Sequence, residues 1–233
     1  MWEYLEALEA LAHKQGFQHW VAASTILRGR RLVQQQQEEE GIALMRQGLA
    51  AFRATGAELG RAQFLALLVE AYGQIGQTEE GLTLLTEALT AIHKTGERQY
   101  EADLYRLKGD LLLAQEGKRQ KPVLSPSTSR KINVGAGAKG KRQKSNREPD
   151  PRSLTPNPQE EAEACFLKAI EIARKQQAKS LELQAVKRLA RLWQQQGKTE
   201  AARERLAEIY GWFTEGFETK DLQEAKALLE ELT

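Results

Sequence analysis

The chain has almost no cysteine and, over most of its length, no proline. The single cysteine, Cys165, excludes an internal disulfide and any metal site built on a cysteine cluster, and fits a reducing, cytoplasmic setting. All 6 prolines (Pro122, Pro126, Pro149, Pro151, Pro156 and Pro158) fall between residues 118 and 158. The remainder is rich in Ala, Leu, Glu, Gln, Lys and Arg, and is free to be helical throughout. Long hydrophobic runs are missing too: none approaches the roughly 18 residues of a membrane span. Met1 is followed by Trp2 and Glu3, so neither a signal peptide nor an anchor is expected.

What is present is an uneven charge. The net charge of +2 hides a segment, 118–158, with 11 Lys and Arg against 2 Asp and Glu, leaving −7 on the rest. An acidic helical body is joined to a basic, Pro-, Ser- and Gly-bearing stretch whose composition predicts a disordered loop.

The body repeats. "EEEGIALMRQGLAAFRATGAELGRAQF" (38–64) overlays "TEEGLTLLTEALTAIHKTGERQYEADL" (78–104) without a gap at an offset of 40. Excising 118–158 restores the same phase in "EEAEACFLKAIEIARKQQA" (160–178), so the basic stretch reads as an insertion within one repeat. Small residues then recur at Gly29, Val69, Gly109 and Ala190, at Gly41, Gly81, Ala162 and Ala202, and at Gly48, Ala88 and Ala169. Larger apolar residues recur at Leu32, Tyr72, Leu112 and Trp193, and at Met45, Leu85, Phe166 and Leu206. Small positions facing large ones at fixed places are what two close-packed helices per repeat require. Each second helix carries a cation in its last turn (His13, Arg53, His93, Arg174) three residues before Gly16, Gly56, Gly96 or Gln177. The cation suits the helix dipole, and glycine suits a left-handed cap. Residues 1–15 read as a second helix without its first, which suggests a fragment, and "KDLQEAKALLEEL" (220–232) reads as a closing amphipathic helix.

The spacing Leu65-x-x-Leu68-Val69-x-x-Tyr72, then Gly81-x-x-x-Leu85-x-x-Ala88, resembles the tetratricopeptide repeat, slightly lengthened. "HWVAASTILRGRRL" (19–32), "GERQYEADLYRLKGDLLL" (96–113) and "IYGWFTEGFETKDLQEAKALLEEL" (209–232) are similar to the C-terminal repeats of large bacterial signalling proteins. In those proteins a nucleotide cyclase domain or a signal-transduction ATPase module precedes the repeats. The resemblance implies a sensory or scaffolding role and a partner such as an ATPase or cyclase module. Those modules are absent from this chain, and the basic insertion is longer than the family's pattern.

Catalytic constellations are not apparent. "GAGAKGKR" (135–142) places Gly135, Gly140 and Lys141 as in a phosphate-binding loop, but Arg142 stands where the magnesium-binding Ser or Thr belongs. No strand or helix is expected around it. His13 and His93 belong to the helix-end pattern, and His19 opens a helix beside Trp20; none has carboxylates at ligand spacing. Cys165, beside Phe166, reads as a small core hydrophobe. Trp20, Trp193 and Trp212 are expected in the core, and Glu38, Glu39 and Glu40 as first-turn acids suited to the dipole.

The place to look is the inner groove. Its register carries Ala23, Ile26 and Arg30; Gln63, Ala66 and Glu70; Asp103, Arg106 and Asp110; Gln184, Lys187 and Arg191. The strip is cationic at both ends and acidic in the middle, and Arg30, Gln63, Glu70, Asp103, Arg106, Asp110, Gln184, Lys187 and Arg191 are the candidate partner contacts.

The sequence thus predicts an all-α, right-handed solenoid of antiparallel, tetratricopeptide-like hairpins of about 40 residues. Its parts are 1–117, a disordered insertion 118–158, and 159–233. The expected function is a cytoplasmic, non-catalytic interaction or regulatory scaffold without cofactor or metal, acting on a protein partner and not on a membrane. The alternative is nucleic-acid or acidic-surface binding through Lys118, Arg119, Lys121, Arg130, Lys131, Lys139, Lys141, Arg142 and Lys144, by counterion release and without aromatic residues for stacking.

Overall fold

The computed structural model describes residues 2–120 and 157–233, and among these it contains helices and no strand. In chain order they are α1 (Trp2–Gln15), α2 (Gln18–Gln34), α3 (Glu38–Ala54), α4 (Arg61–Gln74), α5 (Thr78–Thr95), α6 (Glu101–Gln120), α7 (Pro158–Lys175), α8 (Lys179–Gln195), α9 (Thr199–Tyr210) and α10 (Lys220–Glu231). A 3-10 turn at Arg98–Tyr100 leads into α6. Each of α2, α4, α6 and α8 packs against the helix that follows it, and the same four helices stand side by side along the stack. The result is a tetratricopeptide-like α-solenoid.

Local chemistry sets the helix ends. Asn157 accepts a hydrogen bond from the Gln159 amide at 3.1 Å and Pro158 occupies the first helical turn, which fixes the start of α7. Acids fill the first turns of α3, α5 and α7, where they face the positive end of the dipole. At the other end, Gly16, Gly56 and Gly96 have φ of 70°, 74° and 77°, and Gln177 adopts the same left-handed conformation at 54°. The chain is closed there by Phe17 N–H donating to Ala12 O and Ala178 N–H to Ala173 O, both at 2.9 Å.

Two large apolar clusters and a small third one, Ala102 of α6 with Ile172 and Ala173 of α7, fill the solenoid. Of the large ones, one joins α2 to α6 through Ile26, Met45, Phe52, Leu65, Tyr72, Leu85 and Leu104; the other runs from Leu112 through Phe166, Leu189 and Leu206 to Leu228 of α10. Helix α6 belongs to both, with Leu107 and Leu111 in the first and Leu112 in the second. Each of the larger fully buried side chains contributes about 1.5–3 kcal/mol relative to exposure. Helix α10 buries Leu222, Ala225 and Leu228 and turns Gln223, Lys226 and Glu230 to solvent, as the end of a stack requires.

Some expectations shift. Trp20 and Trp212 are 50% and 57% exposed rather than in the core, while Trp193 packs partly buried against the second cluster. Trp20 lies in the first turn of α2 and Trp212 in the turn after α9, both at element ends and not in the middle of a packed helix face. The ring of Trp212 carries the Lys179 ammonium 5.6 Å from its centroid. Cys165 is buried within the second cluster, as expected of a small core hydrophobe, and burial pushes its thiol up despite the nearby Lys108. The recurring cation does more than face a dipole. Arg53 pairs with Glu87 and Arg174 with Glu208, each 34 residues on, so both tie one repeat to the next. The expected insertion 118–158 lies outside the described residues except at its ends. Lys118, Arg119 and Gln120 continue α6, because Gly117 does not terminate the helix, and Pro158 begins α7.

Candidate functional site: the charged concave wall

The site is built from the common face of α2, α4, α6 and α8, with α10 set against α8. A repeat of 40 residues stacks position on position, so Arg30 of α2 meets Glu70 of α4 across that interval at 3.1 Å. One repeat further, the wall closes around Arg106. Its side chain is 11% exposed, and it donates from Nε and Nη2 to Asp103 Oδ1 at 2.9 and 2.6 Å and from Nη1 to Asp110 Oδ2 at 2.9 Å. Asp103, Arg106 and Asp110 stand one turn apart on α6, the spacing that brings side chains together on one helix face. Arg188 of α8 reaches Asp110 from the other side, Nε to Oδ1, at 3.3 Å.

The next junction is made by Lys187, whose residue is 8% exposed. Its ammonium donates to Asp221 Oδ1 at 2.6 Å and to Glu224 Oε2 at 2.8 Å, and Gln184 Nε2 donates to Asp221 Oδ2 at 3.0 Å. Helix α10 is thereby pinned to α8 by charge as well as by apolar contact.

The electrostatics follow the burial. Burial works against the charge on Arg106, but Asp103 and Asp110 outweigh it and hold the guanidinium more firmly protonated than usual. Asp110 goes the other way: burial pushes its carboxyl up, and Arg188 and Arg106 recover only part of the shift. Asp221 is held below the ordinary carboxylate range, since the hydrogen bonds from Lys187 and Gln184 overcome its burial. Glu224 is lowered chiefly by its hydrogen bond from Lys187.

Between these pairs lies a cleft of about 450 Å³ framed by Glu70, Arg106, Lys187, Arg188, Arg191 and the first turn of α10. A second cleft of about 330 Å³ adjoins it between α4 and α6, floored by Val69, Leu107 and Leu111. Of the expected residues, Glu70, Arg106, Gln184, Lys187 and Arg191 line the larger cleft, and Glu70, Arg106 and Asp110 the smaller. Asp103 lies beside them through Arg106, while Arg30 joins only through Glu70, and Gln63 is half-buried on α4. Ala23, Ile26 and Ala66, expected on the open strip, are 3%, 0% and 4% exposed. In the first two repeats the helices crowd together there and take these side chains into the core.

The sequence reading missed Arg188, Lys220, Asp221 and Glu224. The position of Arg188 is Leu27, Leu67 and Leu107 in the other copies, which reads as core. The α10 residues meet α8 at a separation of 37 and not 40, because the turn before α10 changes the phase. Among the candidate anion-binding residues, Lys118 is committed to the fold, its ammonium donating to the Gly76 carbonyl in the turn between α4 and α5. Lys121, Arg130, Lys131, Lys139, Lys141, Arg142 and Lys144 lie outside the described residues, as does the side chain of Arg119. Among the described residues there is no group of three or more His, Cys, Asp or Glu arranged to hold a metal ion.

No protein-family model and no curated protein matches the chain. Solved structures do. Nearly identical TPR-like repeats from a Podosopora anserina protein assigned as a kinesin light chain align over 90% of this chain and 84% of theirs, with 19% identity and a TM-score of 0.54. A single-substitution variant of that protein aligns over 90% of this chain and 92% of its own, with 19% identity and a TM-score of 0.53. At that identity the likeness is one of fold, and it is the fold of a tetratricopeptide-like repeat protein.

Proposed function

We propose that the protein is a non-catalytic interaction module that seats a segment or domain of a protein partner on its concave wall. The observation that carries this reading is the lattice of part-buried ion pairs, from Arg30 and Glu70 through Arg106, Asp110 and Arg188 to Lys187, Asp221 and Glu224, fixed around an open cleft. Side chains already held by their neighbours lose little freedom when a partner docks, which is how a preformed surface gains affinity. The likeness to cyclase- and ATPase-linked repeats supports a regulatory module of that kind as the partner, in the cytoplasm of a bacterium. Among the described residues no helix is long and apolar enough to cross a membrane.

The test places a photo-crosslinking residue at position 191, on the wall, or at Thr86, exposed on α5. A discrete adduct from position 191 and none from 86 is expected in the source cell; equal adducts from both positions would sink the reading. Reversing charge at Arg106 or Lys187 is a poor probe, since each holds two carboxylates of the fold, Lys187 from a buried position, and reversal would set like charges against them.

A second reading is supported by the separation of charge along the chain, in which the segment 118–158 carries 11 Lys and Arg against 2 Asp and Glu. It is nucleic-acid binding through that segment. Titration of labelled DNA and RNA against the chain with and without residues 121–156, at low and physiological salt, decides it: binding must be salt-sensitive and vanish with the segment.

A further inference from the structure

Every carboxylate of the larger cleft is already held by a cation. Glu70 is paired with Arg30, and Asp221 and Glu224 with the buried Lys187, while the neighbouring Asp103 and Asp110 are held by the part-buried Arg106. The cations are not all used. Arg191 is exposed and forms no ion pair among the described residues. Lys220 is 90% exposed and meets only Glu224, at 3.8 Å. Arg188 is 49% exposed and touches Asp110 at the long distance of 3.3 Å. The cleft lining holds five cations (Arg106, Lys187, Arg188, Arg191, Lys220) and three carboxylates, so its open rim on α8 and α10 is cationic although the chain outside 118–158 is acidic.

We infer that this rim, between α8 and α10, seats an acidic peptide segment, whose carboxylates engage Arg188, Arg191 and Lys220. The inference rests on the groove reading above and adds the half of the groove and the chemistry of the occupant. Guanidinium groups take carboxylates in bidentate geometry, and exposed cations above a floor of fixed ion pairs can turn to an incoming anion without breaking the floor. The chain's own segment 121–156 is of the same sign as the rim, which excludes it as the occupant. Nucleic acid fits less well: no aromatic side chain lines the cleft to stack a base, and Asp221 and Glu224 interrupt any continuous phosphate track.

The experiment uses the full chain and a labelled hexaglutamate peptide carrying a photoreactive group, with hexalysine and hexathymidylate as rivals. Hexaglutamate should cross-link to α8 and α10, and its affinity for that site should fall roughly tenfold or more in the Arg191→Glu, Lys220→Glu double variant, whose circular dichroism should be unchanged. Cross-links confined to residues 121–156, or unchanged affinity in the variant, overturn the inference. Hexalysine on the same helices would overturn the acidic class and leave the groove standing, and hexathymidylate there would replace peptide by nucleic acid. If neither peptide cross-links to α6, α8 or α10, the inference falls, while the groove reading is decided by the adduct from position 191.

Discussion

The hairpin of α2 and α3 and the hairpin of α8 and α9 occupy equivalent places in the repeat, yet they are joined differently. In the first, glycine stands at all three seam positions. A Cβ added to Gly29 would lie 2.5 Å from the Gly41 carbonyl oxygen and 2.7 Å from the Met45 amide; one on Gly48 would lie 2.7 Å from Ile26 Cγ1. The backbones themselves are in contact. In the second hairpin the same positions are Ala190, Ala202 and Ile209, all buried, so side chains separate the helices. The buried charges divide likewise. Glu182 and Lys187 lie in the C-terminal half, whereas the buried polar residues of the N-terminal half are the uncharged Ser24 and Thr78. One half is closed by backbone contact, with ion pairs such as Arg30–Glu70 and Arg53–Glu87 left partly open to solvent; the other is closed by side chains and takes the charges of Glu182 and Lys187 into its interior. Sensitivity to volume should therefore concentrate in the first half and sensitivity to pH and to partner charge in the second.

The sharpest way to break that comparison is Gly29→Ala against Ala190→Gly, at one repeat position. The first forces a methyl into backbone and should cost about 3 kcal/mol or more, at the upper end of overpacking. The second removes a methyl from a helix that has room for it and should cost about 1 kcal/mol. Denaturant unfolding measures both, and equal costs would show that the two seams are not different in kind. Gly109→Ala is intermediate. At the α6–α7 seam its Cβ would lie 2.4 Å from Phe166 Cε1, but a ring can shift where a backbone cannot, so about 2 kcal/mol is expected.

The charged half is probed by Glu182→Gln. Glu182 accepts from Arg174 Nε at 2.5 Å and Lys179 Nζ at 2.8 Å; although burial opposes its charge, these bonds hold its carboxyl below the usual 4.5. A depressed carboxylate stabilises the fold above its unfolded value and loses that contribution as pH falls through the folded one. The variant should be less stable by about 1–2 kcal/mol at pH 7, the cost kept modest because Arg174 and Lys179 remain solvated, and the gap should narrow as the pH falls below the usual carboxylate value. Thermal melts of both proteins from pH 7 to 3 supply the check. A gap independent of pH would assign the loss to packing instead of charge.

How much of this was legible depended on whether a feature repeats. The rows of small and large residues recur because every hairpin must solve the same packing problem, and they placed α1 to α9 in phase. The same phase put Glu70, Arg106 and Lys187 on the wall. It did not show that Lys187 would be buried, since its partners Asp221 and Glu224 come from α10, whereas Arg106 is held by Asp103 and Asp110 of its own helix. Nor did it show Asp221 and Glu224, which follow a turn that departs from the repeat. Arg53 and Arg174 read as helix-end cations on their own helices; the carboxylates Glu87 and Glu208 that they meet lie on the corresponding helix of the following repeat.

The smallest effect tests the caps, where the two halves are alike and the residue types differ. Gly16, Gly56 and Gly96 take the left-handed conformation that ends a helix, and at the equivalent place Gln177 is held in it at φ 54°. A second row shows the same substitution in the opposite half, with Gln36 at φ 67° where Gly76 and Gly197 have 73° and 77°. A residue with a Cβ loses about 1–2 kcal/mol in that conformation, and glycine offsets part of the gain by its freedom in the unfolded chain. Gln177→Gly and Gln36→Gly should each stabilise the protein by about 1 kcal/mol, and because they sit in different repeats their effects should add. A stabilisation in one half alone would mean that the caps, like the seams, are set by their half of the molecule and not by the repeat.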